Sequence, residues 1–538
     1  MRPGPINNPI LPGFNPDPSI VRVGDDFYIA TSTFEWYPGV QIHHSRDLIH
    51  WRLASRPLNR PTLLDMTGEP DSCGVWAPCL TYADGKFWLI YTDVKRFDGN
   101  FKDTHNYLTT CETIDGSWTD PVYLNSSGFD PSLFHDDDGR KWLLNMIWDH
   151  RPERTFFGGI ALQEYDPEAK ALLGKPVNIF KGSELGFTEG PHLYKRNGYY
   201  YLLTAEGGTG YTHAMTMARS RSITGPFELD PAGHFVSAKD NPELSLQRCG
   251  HGDWVETPSG EFYAVHLCSR PLAHDNRFSP LGRETALQKV FWNQDDWLRL
   301  DNDQQLPQAQ VSPPKLKLHP WPNQRTHFYF TESALPEVFQ WLRTPYPEKL
   351  FSLSDRPGHL RLYGRESLGS LYHSSLVAMR QTTLSYCAQT CVEFAPESFQ
   401  QMAGLVCYYN SQKFHYLYLS GDDSGQRHLS IMSCLAELSL TAHFPLDPIL
   451  LPTTGTVHLR AQVTRDTLIF SYSLDAQQWR ELPVALDYRL LSCEAGKGEG
   501  ASFTGTFVGM ACQDLTGSKL SADFSHFLYD DTTRGSNT

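Results

Sequence analysis

The sequence predicts an all-β protein, with a five-bladed β-propeller at residues 1–304 and a jelly-roll-like β-sandwich at residues 323–538. Three observations support this prediction. A hairpin pattern recurs in the first part of the chain, short alternating strands separated by turns fill the last part, and no long stretch shows helical periodicity.

The propeller prediction depends on repeats of one pattern. Each repeat begins with a polar or small residue beside Pro, Gly or Asp, continues as a short apolar strand, and returns through a turn into an aromatic strand. Turns such as A-D-G, D-D-G and R-N-G between such runs are strong hairpin signals. A spacing of roughly 60 residues suits blades of about four strands. The repeat heads are Asp17, Ala77, Asp130, Glu189 and His251.

Other segments complete the predicted architecture. Three recurring stretches are predicted to be outer blade strands, at residues 45–51, 112–118 and 220–227. Residues 305–322 are rich in proline and are predicted to form a linker. The sandwich is predicted from alternating strands at residues 327–330, 359–363, 415–420 and 468–473.

The composition of the chain limits which binding partners and which cellular location are expected. The 538 residues include 61 acidic and 46 basic side chains, with a net charge of −15 and no basic stripe, so nucleic acid is not expected as a partner. No apolar run approaches the ~20 residues that span a bilayer, and the N-terminus lacks the pattern of a signal peptide. Eleven cysteines without a paired spacing predict reduced, mostly buried thiols and a cytoplasmic protein.

Three of the repeat heads are acids, and the propeller prediction brings them together. The first strand of each blade lines the central channel, so Asp17, Asp130 and Glu189 are expected to converge at one mouth. Crowded carboxylates raise one another's pKa, which favours either catalysis or calcium binding. Two carboxylates flanking a substrate is the arrangement that glycosidases use. Glu189 has the less polar neighbours and is the candidate acid, which Asp130 could hold in place while raising its pKa.

The residues around the predicted mouth suit a sugar. Phe34, Trp76 and Trp148 lie near repeat heads, and aromatic rings can stack on the C–H faces of sugars. Arg283 could bind hydroxyl groups through its several donors. His251 lies between two glycines, and three roles remain open for it: metal ligand, partner of a sugar hydroxyl, or neither.

Several motifs closely resemble glycoside hydrolase family 43, and within it the two-domain β-xylosidases. They are G-F-N-P-D-P-S, A-T-S-T-F-E-W-Y-P-G-V-Q-I-H-H-S-R-D-L, G-V-W-A-P, G-F-D-P-S-L-F and F-T-E-G-P-H-L-Y-K. The resemblance covers nearly the whole chain, and the three acid motifs together make it specific.

The resemblance implies an inverting mechanism with Asp17 as general base, Glu189 as general acid and Asp130 as the residue that orients the acid and tunes its pKa. It also implies a sugar pocket, with Lys102 on the leaving-group side and Phe503 as the aromatic that the sandwich contributes. The residues expected to line this pocket are Phe34, Trp76, Ala77, Lys102, Trp148, Thr209, His251, Arg283 and Phe503.

The expected substrates are xylobiose and short β-1,4-xylooligosaccharides, cleaved from the non-reducing end. No cofactor is expected to be required, although some relatives hold a divalent cation, often calcium, near the histidine that matches His251. Many relatives are tetramers, so a homo-oligomer (a tetramer or a dimer) is expected. The rival expectations are an α-L-arabinofuranosidase, a non-catalytic carbohydrate-binding propeller, and a calcium cluster that holds the blades together.

Overall fold

A computed structural model describes residues 4–273, 277–302, 304–435, 442–496, 498 and 500–531. Strands dominate this part of the chain, short 3-10 helices occur at Pro347–Lys349 and Tyr488–Leu490, and no α-helix is present in it. None of the described segments is a helix long and apolar enough to span a membrane. The all-β prediction is confirmed.

The described residues divide into two compact units. The first takes residues within Met1–Leu64, Cys73–Arg270 and Arg283–Trp321, and the second takes those within Asp65–Ser72, Pro271–Gly282 and Pro322–Thr538. The second unit therefore includes two short segments that lie inside the sequence of the first. The proline-rich residues up to Trp321, predicted as a linker, belong to the first unit.

Over its described residues, the first unit consists of five four-stranded antiparallel sheets that follow one another along the chain, which confirms the five-bladed propeller. In chain order, β1 is Ile6–Asn7 and β4 is Trp36–Tyr37, both outside the blades. The first three blades are β2 Ser19–Val23, β3 Asp26–Thr31, β5 Gln41–Ser45 and β6 Arg52–Ser55; β7 Gly74–Ala83, β8 Lys86–Arg96, β9 Asp103–Cys111 and β10 Val122–Asn125; and β11 Ser132–His135, β12 Lys141–Trp148, β13 Phe157–Asp166 and β14 Ala171–Phe180. The other two are β15 Glu189–Arg196, β16 Tyr199–Glu206, β17 Ala214–Ser220 and β18 Glu228–Ser237; and β19 Gln247–Glu256, β20 Phe262–Ser269, β21 Glu284–Trp292 and β22 Leu298–Leu300.

Every blade has a residue in the left-handed backbone region within its first strand or just before it. L-residues other than glycine adopt this region at an energetic cost, and such residues cluster at functional sites. In the fourth blade the position is occupied by Gly190, so the candidate acid Glu189 lies one residue before the position that the sequence repeat assigned to it. The left-handed residues are Asp17 (φ 55°), Ala77 (φ 33°), Asp130 (φ 54°), Gly190 (φ 57°) and His251 (φ 41°).

Contacts between the fifth and first blades close the ring. The Asp253 carboxylate accepts hydrogen bonds from the Ser19 hydroxyl (3.1 Å) and the Ile20 N–H (2.9 Å), and it also bonds the Tyr194 hydroxyl of the fourth blade. The N-terminal strand β1 pairs with β23 (Gln310–Val311), which follows the last blade. Residues 310–311 are therefore part of a sheet. The N-terminal strand supplies the backbone hydrogen-bond partners that this proline-rich segment cannot supply from within itself.

The segments predicted as outer strands are instead connections between the third and fourth strands of their blades. In the first of them, the buried Asp47 carboxylate accepts hydrogen bonds from the backbone N–H groups of Ile49 (3.0 Å) and His50 (2.8 Å). Such side-chain bonds to the nearby backbone compete with strand pairing. The recurrence of these segments reflects a repeated turn.

The second unit is a β-sandwich, as predicted. Two sheets enclose one apolar core that includes Tyr386, Leu405, Leu459 and Phe524. One sheet has the order β26 Phe351–Ser352, β27 Leu360–Leu362, β38 Ala522–Asp530, β29 Ser385–Glu393, β34 Thr456–Thr464, β35 Thr467–Ser473 and β36 Arg480–Asp487, with β24 His327–Tyr329 also paired to β38. The other has the order β33 Ile449–Leu450, β32 Arg427–Leu435, β31 Lys413–Gly421, β30 Gln401–Asn410, β37 Phe507–Asp514, β28 Ser375–Arg380 and β25 Phe339–Leu342.

The cysteines are reduced, as the sequence predicts. All eleven, each within the described part of the chain, are free thiols, and ten of them are buried while Cys434 is partly exposed. Buried thiols in apolar surroundings behave as small hydrophobic side chains.

Ring closure leads to a stability prediction. We expect Asp253→Ala to lower the free energy of unfolding of the propeller by about 3 kcal/mol or more, since several buried donors lose a charged acceptor. Urea unfolding measures this, with Asp25→Ala, an exposed acid in a hairpin turn of the first blade, as the matched control. Similar losses in both variants would show that Asp253 does not close the ring.

Candidate active site

Asp17 is held by one donor from its own blade and by one from the fifth blade. The Ser32 hydroxyl donates to its Oδ2 (2.6 Å) and Arg283 Nη1 donates to its Oδ1 (3.3 Å). Ser32 accepts in turn from the Ala77 N–H (2.7 Å), so the second blade fixes the hydroxyl that fixes the acid. Asp17 is only 5% exposed. Its carboxylate is therefore oriented from both sides, in a form that accepts hydrogen bonds.

Glu189 has the electrostatic surroundings of a proton donor. Burial and the negative charge of Asp17 raise the pKa of Glu189 to about 8, while Arg283 and Lys102 oppose part of this rise. A carboxyl group with this pKa carries its proton at neutral pH, and a catalytic acid works best with a pKa near the working pH. The residue as a whole is partly exposed.

Asp130 supports the backbone beside Glu189. Its Oδ2 accepts a hydrogen bond from the Gly190 N–H (3.0 Å), and burial together with the charges of Glu189 and Asp17 holds its pKa well above the ordinary value. A side chain at Gly190 would crowd His251, because a Cβ there would stand 3.0 Å from its ring. Gly190, the residue after Glu189, is thus hydrogen-bonded to Asp130 and packed closely against the ring of His251.

His251 is a buried, neutral imidazole at physiological pH, because burial lowers its pKa to about 4. Its Nδ1 lies 3.8 Å from Asp130 Oδ2. Among the residues that the structure describes, no group of three or more His, Cys, Asp or Glu side chains is placed to hold a metal ion. One imidazole and one carboxylate do not fit a site made of protein ligands alone, so a cation near His251 would need water in most of its coordination positions.

Two aromatic side chains, Phe34 and Trp76, lie near Arg283, which also bonds Asp17. Arg283 Nη1 donates to Thr209 Oγ1 (3.0 Å), and its guanidinium lies over the Phe34 ring at 5.3 Å. The Phe34 ring is 5.7 Å from that of Trp76. Both aromatic side chains are almost fully buried.

Lys102 lies beside a second aromatic group. Its Nζ is 4.4 Å from the centre of the Trp148 ring, and it donates to the Phe97 carbonyl. Burial lowers the pKa of Lys102, and the charge of Glu189 opposes this shift. Lys102 is therefore close enough to Glu189 for the two groups to influence each other.

The structure brings the predicted residues of the first unit into one network of contacts: Asp17, Phe34, Trp76, Ala77, Lys102, Trp148, Asp130, Glu189, Thr209, His251 and Arg283. The roles assigned to them remain predictions. Phe503 belongs to the second unit, where its N–H donates to Ser72 Oγ (3.0 Å), and its role in the pocket also remains a prediction.

Sequence reasoning missed residues that act through hydrogen bonds or ring contacts. Ser32 lies two positions before Phe34 in T-S-T-F, but nothing in that pattern indicates that its hydroxyl bonds Asp17. Phe156 stacks on Trp148 with ring centres 4.9 Å apart, and the exposed Phe187 packs against Phe157 at 5.1 Å. Phe187 is the first residue of the motif F-T-E-G-P-H-L-Y-K, and its place beside Glu189 was the available signal.

Comparisons with known proteins agree with this geometry. The family model "Glycosyl hydrolases family 43" matches residues 6–298, and "Beta xylosidase C-terminal Concanavalin A-like domain" matches residues 328–530. A "Xylosidase/arabinosidase 43B" of Humicola insolens is 52% identical over 529 residues, which is 97% of either chain. A "Beta-xylosidase" of Bacillus subtilis (strain 168) is 48% identical over 97% of this chain and 99% of its own.

Solved structures agree as well. The crystal structure of a xylan beta-1,4-xylosidase from Bacillus halodurans C-125 superposes with a TM-score of 0.95 at 51% identity, and it covers 98% of this chain and 100% of its own. Family models and relatives thus match both units across nearly the whole chain. This chain belongs to glycosyl hydrolase family 43.

Proposed function

We propose that this protein is an exo-acting, inverting β-xylosidase that releases D-xylose from the non-reducing ends of short β-1,4-xylooligosaccharides. The observation that carries the proposal is the pairing of Glu189, whose pKa near 8 keeps it protonated at neutral pH, with Asp17, which Ser32 and Arg283 hold as an acceptor. One proton donor and one proton acceptor are what hydrolysis with inversion requires.

The mechanism follows from these two carboxyl groups. Asp17 accepts a proton from a water molecule while the oxygen of that water attacks the anomeric carbon. Glu189 donates its proton to the departing glycosidic oxygen, so the bond breaks without forming an alkoxide. In inverting enzymes the two carboxyl groups stand ~6.5–9.5 Å apart, which leaves room for the water. Asp130 positions the acid through the Gly190 N–H.

A second activity, that of an α-L-arabinofuranosidase, is favoured by the names of relatives. The Humicola insolens relative carries both activities in its name, and a "Non-reducing end alpha-L-arabinofuranosidase" of Bacteroides ovatus is 34% identical over 94% of this chain. A "Xylan 1,3-beta-xylosidase" of Vibrio is 45% identical over 97% of this chain, so the linkage also requires a direct test. Both sugars are pentoses that one small pocket can accept.

Further properties of the protein are proposals of the same kind. We propose a cytoplasmic enzyme, which the free and mostly buried thiols support, and a homo-oligomer, which rests on the family resemblance and is tested by light scattering. We also propose that a divalent cation such as calcium, if bound, lies near His251 with water as its main ligand. If the three acids instead formed a structural calcium cluster, chelation would unfold the propeller rather than lower its activity.

The stereochemical outcome is the first test of the proposed function. Proton NMR of xylobiose hydrolysis is expected to show α-xylose before mutarotation, and Glu189→Gln is expected to lower kcat by ~10²–10⁴-fold, since general acid catalysis contributes about that much. β-Xylose as the first product would contradict inversion. Binding of xylobiose without turnover by the unmodified protein would favour the non-catalytic alternative.

The pH dependence of stability tests the protonation state of Glu189. Folding raises its pKa from an ordinary value of 4.5 to about 8, so the folded protein holds this proton more tightly. The resulting stability is present below pH 4.5 and is lost as the pH rises toward 8. We therefore expect Glu189→Gln to match the unmodified protein near pH 4 and to exceed its melting temperature increasingly up to pH 8. Glu184→Gln, at an exposed position nearby, is the control, and no pH-dependent gain in Glu189→Gln would refute the assignment.

Substrate preference is tested with two nitrophenyl glycosides. We expect kcat/KM to be higher for the β-D-xylopyranoside than for the α-L-arabinofuranoside, with both measured on one enzyme preparation. The opposite order would make arabinofuranosidase the main activity. Xylobiose isomers with β-1,4 and β-1,3 linkages, compared in the same way, identify the preferred bond.

A further inference from the structure

A buried carboxylate fastens the loop that leads into the candidate acid. Residues 181–188 connect β14 to β15, and Glu189 is the first residue of β15. Glu206, the last residue of β16, is fully buried. No motif in the sequence analysis singled out this residue, and the proposed mechanism does not use it.

Glu206 holds both ends of the loop. Its Oε1 accepts hydrogen bonds from the Ser183 N–H (2.9 Å) and from Thr188 Oγ1 (3.0 Å), and its Oε2 accepts one from the Ser183 hydroxyl. Among the described residues, no Lys, Arg or His forms an ion pair with Glu206. Its charge is therefore compensated by donors of this one loop, because a buried carboxylate needs such donors.

The loop can close only because Gly182 has no side chain. A Cβ at Gly182 would stand 1.8 Å from Thr188 Oγ1 and 3.0 Å from Glu206 Oε1, and the φ of Gly182 is 89°. One further bond, from the Gly207 N–H to the Gly186 carbonyl (2.8 Å), ties the middle of the loop to the residue after Glu206. The loop is thus attached to the end of β16 at three points.

This attachment acts directly on the position of Glu189. Thr188 precedes Glu189 in the chain, and Glu189 pairs with Ala205, the neighbour of Glu206, across the hairpin. Asp130 fixes the backbone on the other side of the acid through Gly190. A misplacement of about 1 Å at a reacting group can cost about 10²-fold in rate.

We propose that Glu206 is a positioning residue that sets the place of the acid by fastening residues 183 and 188. The inference rests on the proposed function, because it concerns proton donation by Glu189. It assigns to Glu206 no contact with the substrate. Its loss is expected to impair the protonation of the leaving group more than the attack of water.

Leaving-group dependence distinguishes this role from general support of the fold. Xylobiose needs a proton on its departing oxygen, whereas 2,4-dinitrophenyl β-xyloside has a leaving group that departs without one. For Glu206→Ala we expect kcat on xylobiose to fall ~10²-fold, the lower end of what general acid catalysis contributes, and kcat on the dinitrophenyl substrate to fall only a few-fold. The basic limb of the pH profile of kcat/KM is expected to shift in the same variant.

Variants of Thr188 provide a test that leaves Glu206 in place. Thr188→Val removes the hydroxyl that bonds Glu206 and keeps the shape of the side chain, so it is expected to reproduce the selective loss. Thr188→Ser keeps the hydroxyl and is expected to restore most of the activity on xylobiose. The matched control is Asp47→Asn. The buried Asp47 carboxylate holds a turn in an outer part of the first blade. Its substitution is expected to lower stability without changing the ratio of kcat on xylobiose to kcat on the dinitrophenyl substrate.

Hydrogen exchange gives a readout that is independent of activity. The Ser183 amide is expected to exchange faster in Glu206→Ala, because its acceptor is gone. Equal losses on both substrates with an unchanged basic limb would reduce Glu206 to a structural role and overturn the proposal. If the unmodified protein cleaved neither substrate, the proposed function would fail. If it cleaved both substrates, but the Glu206 and Thr188 variants showed no selective loss on xylobiose, only the present inference would be refuted.

Discussion

The closure of the propeller ring is the constraint on which the candidate site depends. Asp17, Asp130 and Glu189 belong to three blades, and they meet only because the first and last blades join. Asp253 makes that junction by accepting hydrogen bonds from Ser19 and Ile20, and the pairing of β1 with β23 strengthens it. Since an open ring would let the blade heads move apart, stability at this junction and catalysis at the channel mouth are linked.

The candidate site contains two carboxyl groups that differ in the hydrogen-bond donors around them. Asp17 has a hydroxyl and a guanidinium as partners, whereas burial and the charge of Asp17 raise the pKa of Glu189 to about 8. The two carboxyl groups thus lie in different environments, as the proposed roles of proton acceptor and proton donor require. The same desolvation opposes folding at neutral pH, which is a common relation between the stability and the activity of an enzyme.

Backbone conformation is as much a part of the site as the side chains are. Each blade has a left-handed residue within its first strand or just before it, and four of these five residues are not glycine. The exception, Gly190, lies beside the acid, where a Cβ would make a tight contact with His251. Backbone strain at the four other residues persists where surrounding contacts enforce it, and one such contact is the hydrogen bond from the Ala77 N–H to Ser32 Oγ.

The sequence by itself determined the five-fold repeat, the all-β class and the three acids, because hairpin periodicity and short motifs are local properties of a chain. It did not determine that residues 45–51 form a turn or that residues 310–311 pair with the N-terminal strand, since both depend on hydrogen bonds to partners that local patterns do not reveal. Only the tertiary structure decided the bond between Ser32 and Asp17 and the attachment of the acid's loop to Glu206. These features arise where distant segments meet, and the burial and charge that set a pKa exist only after they have met.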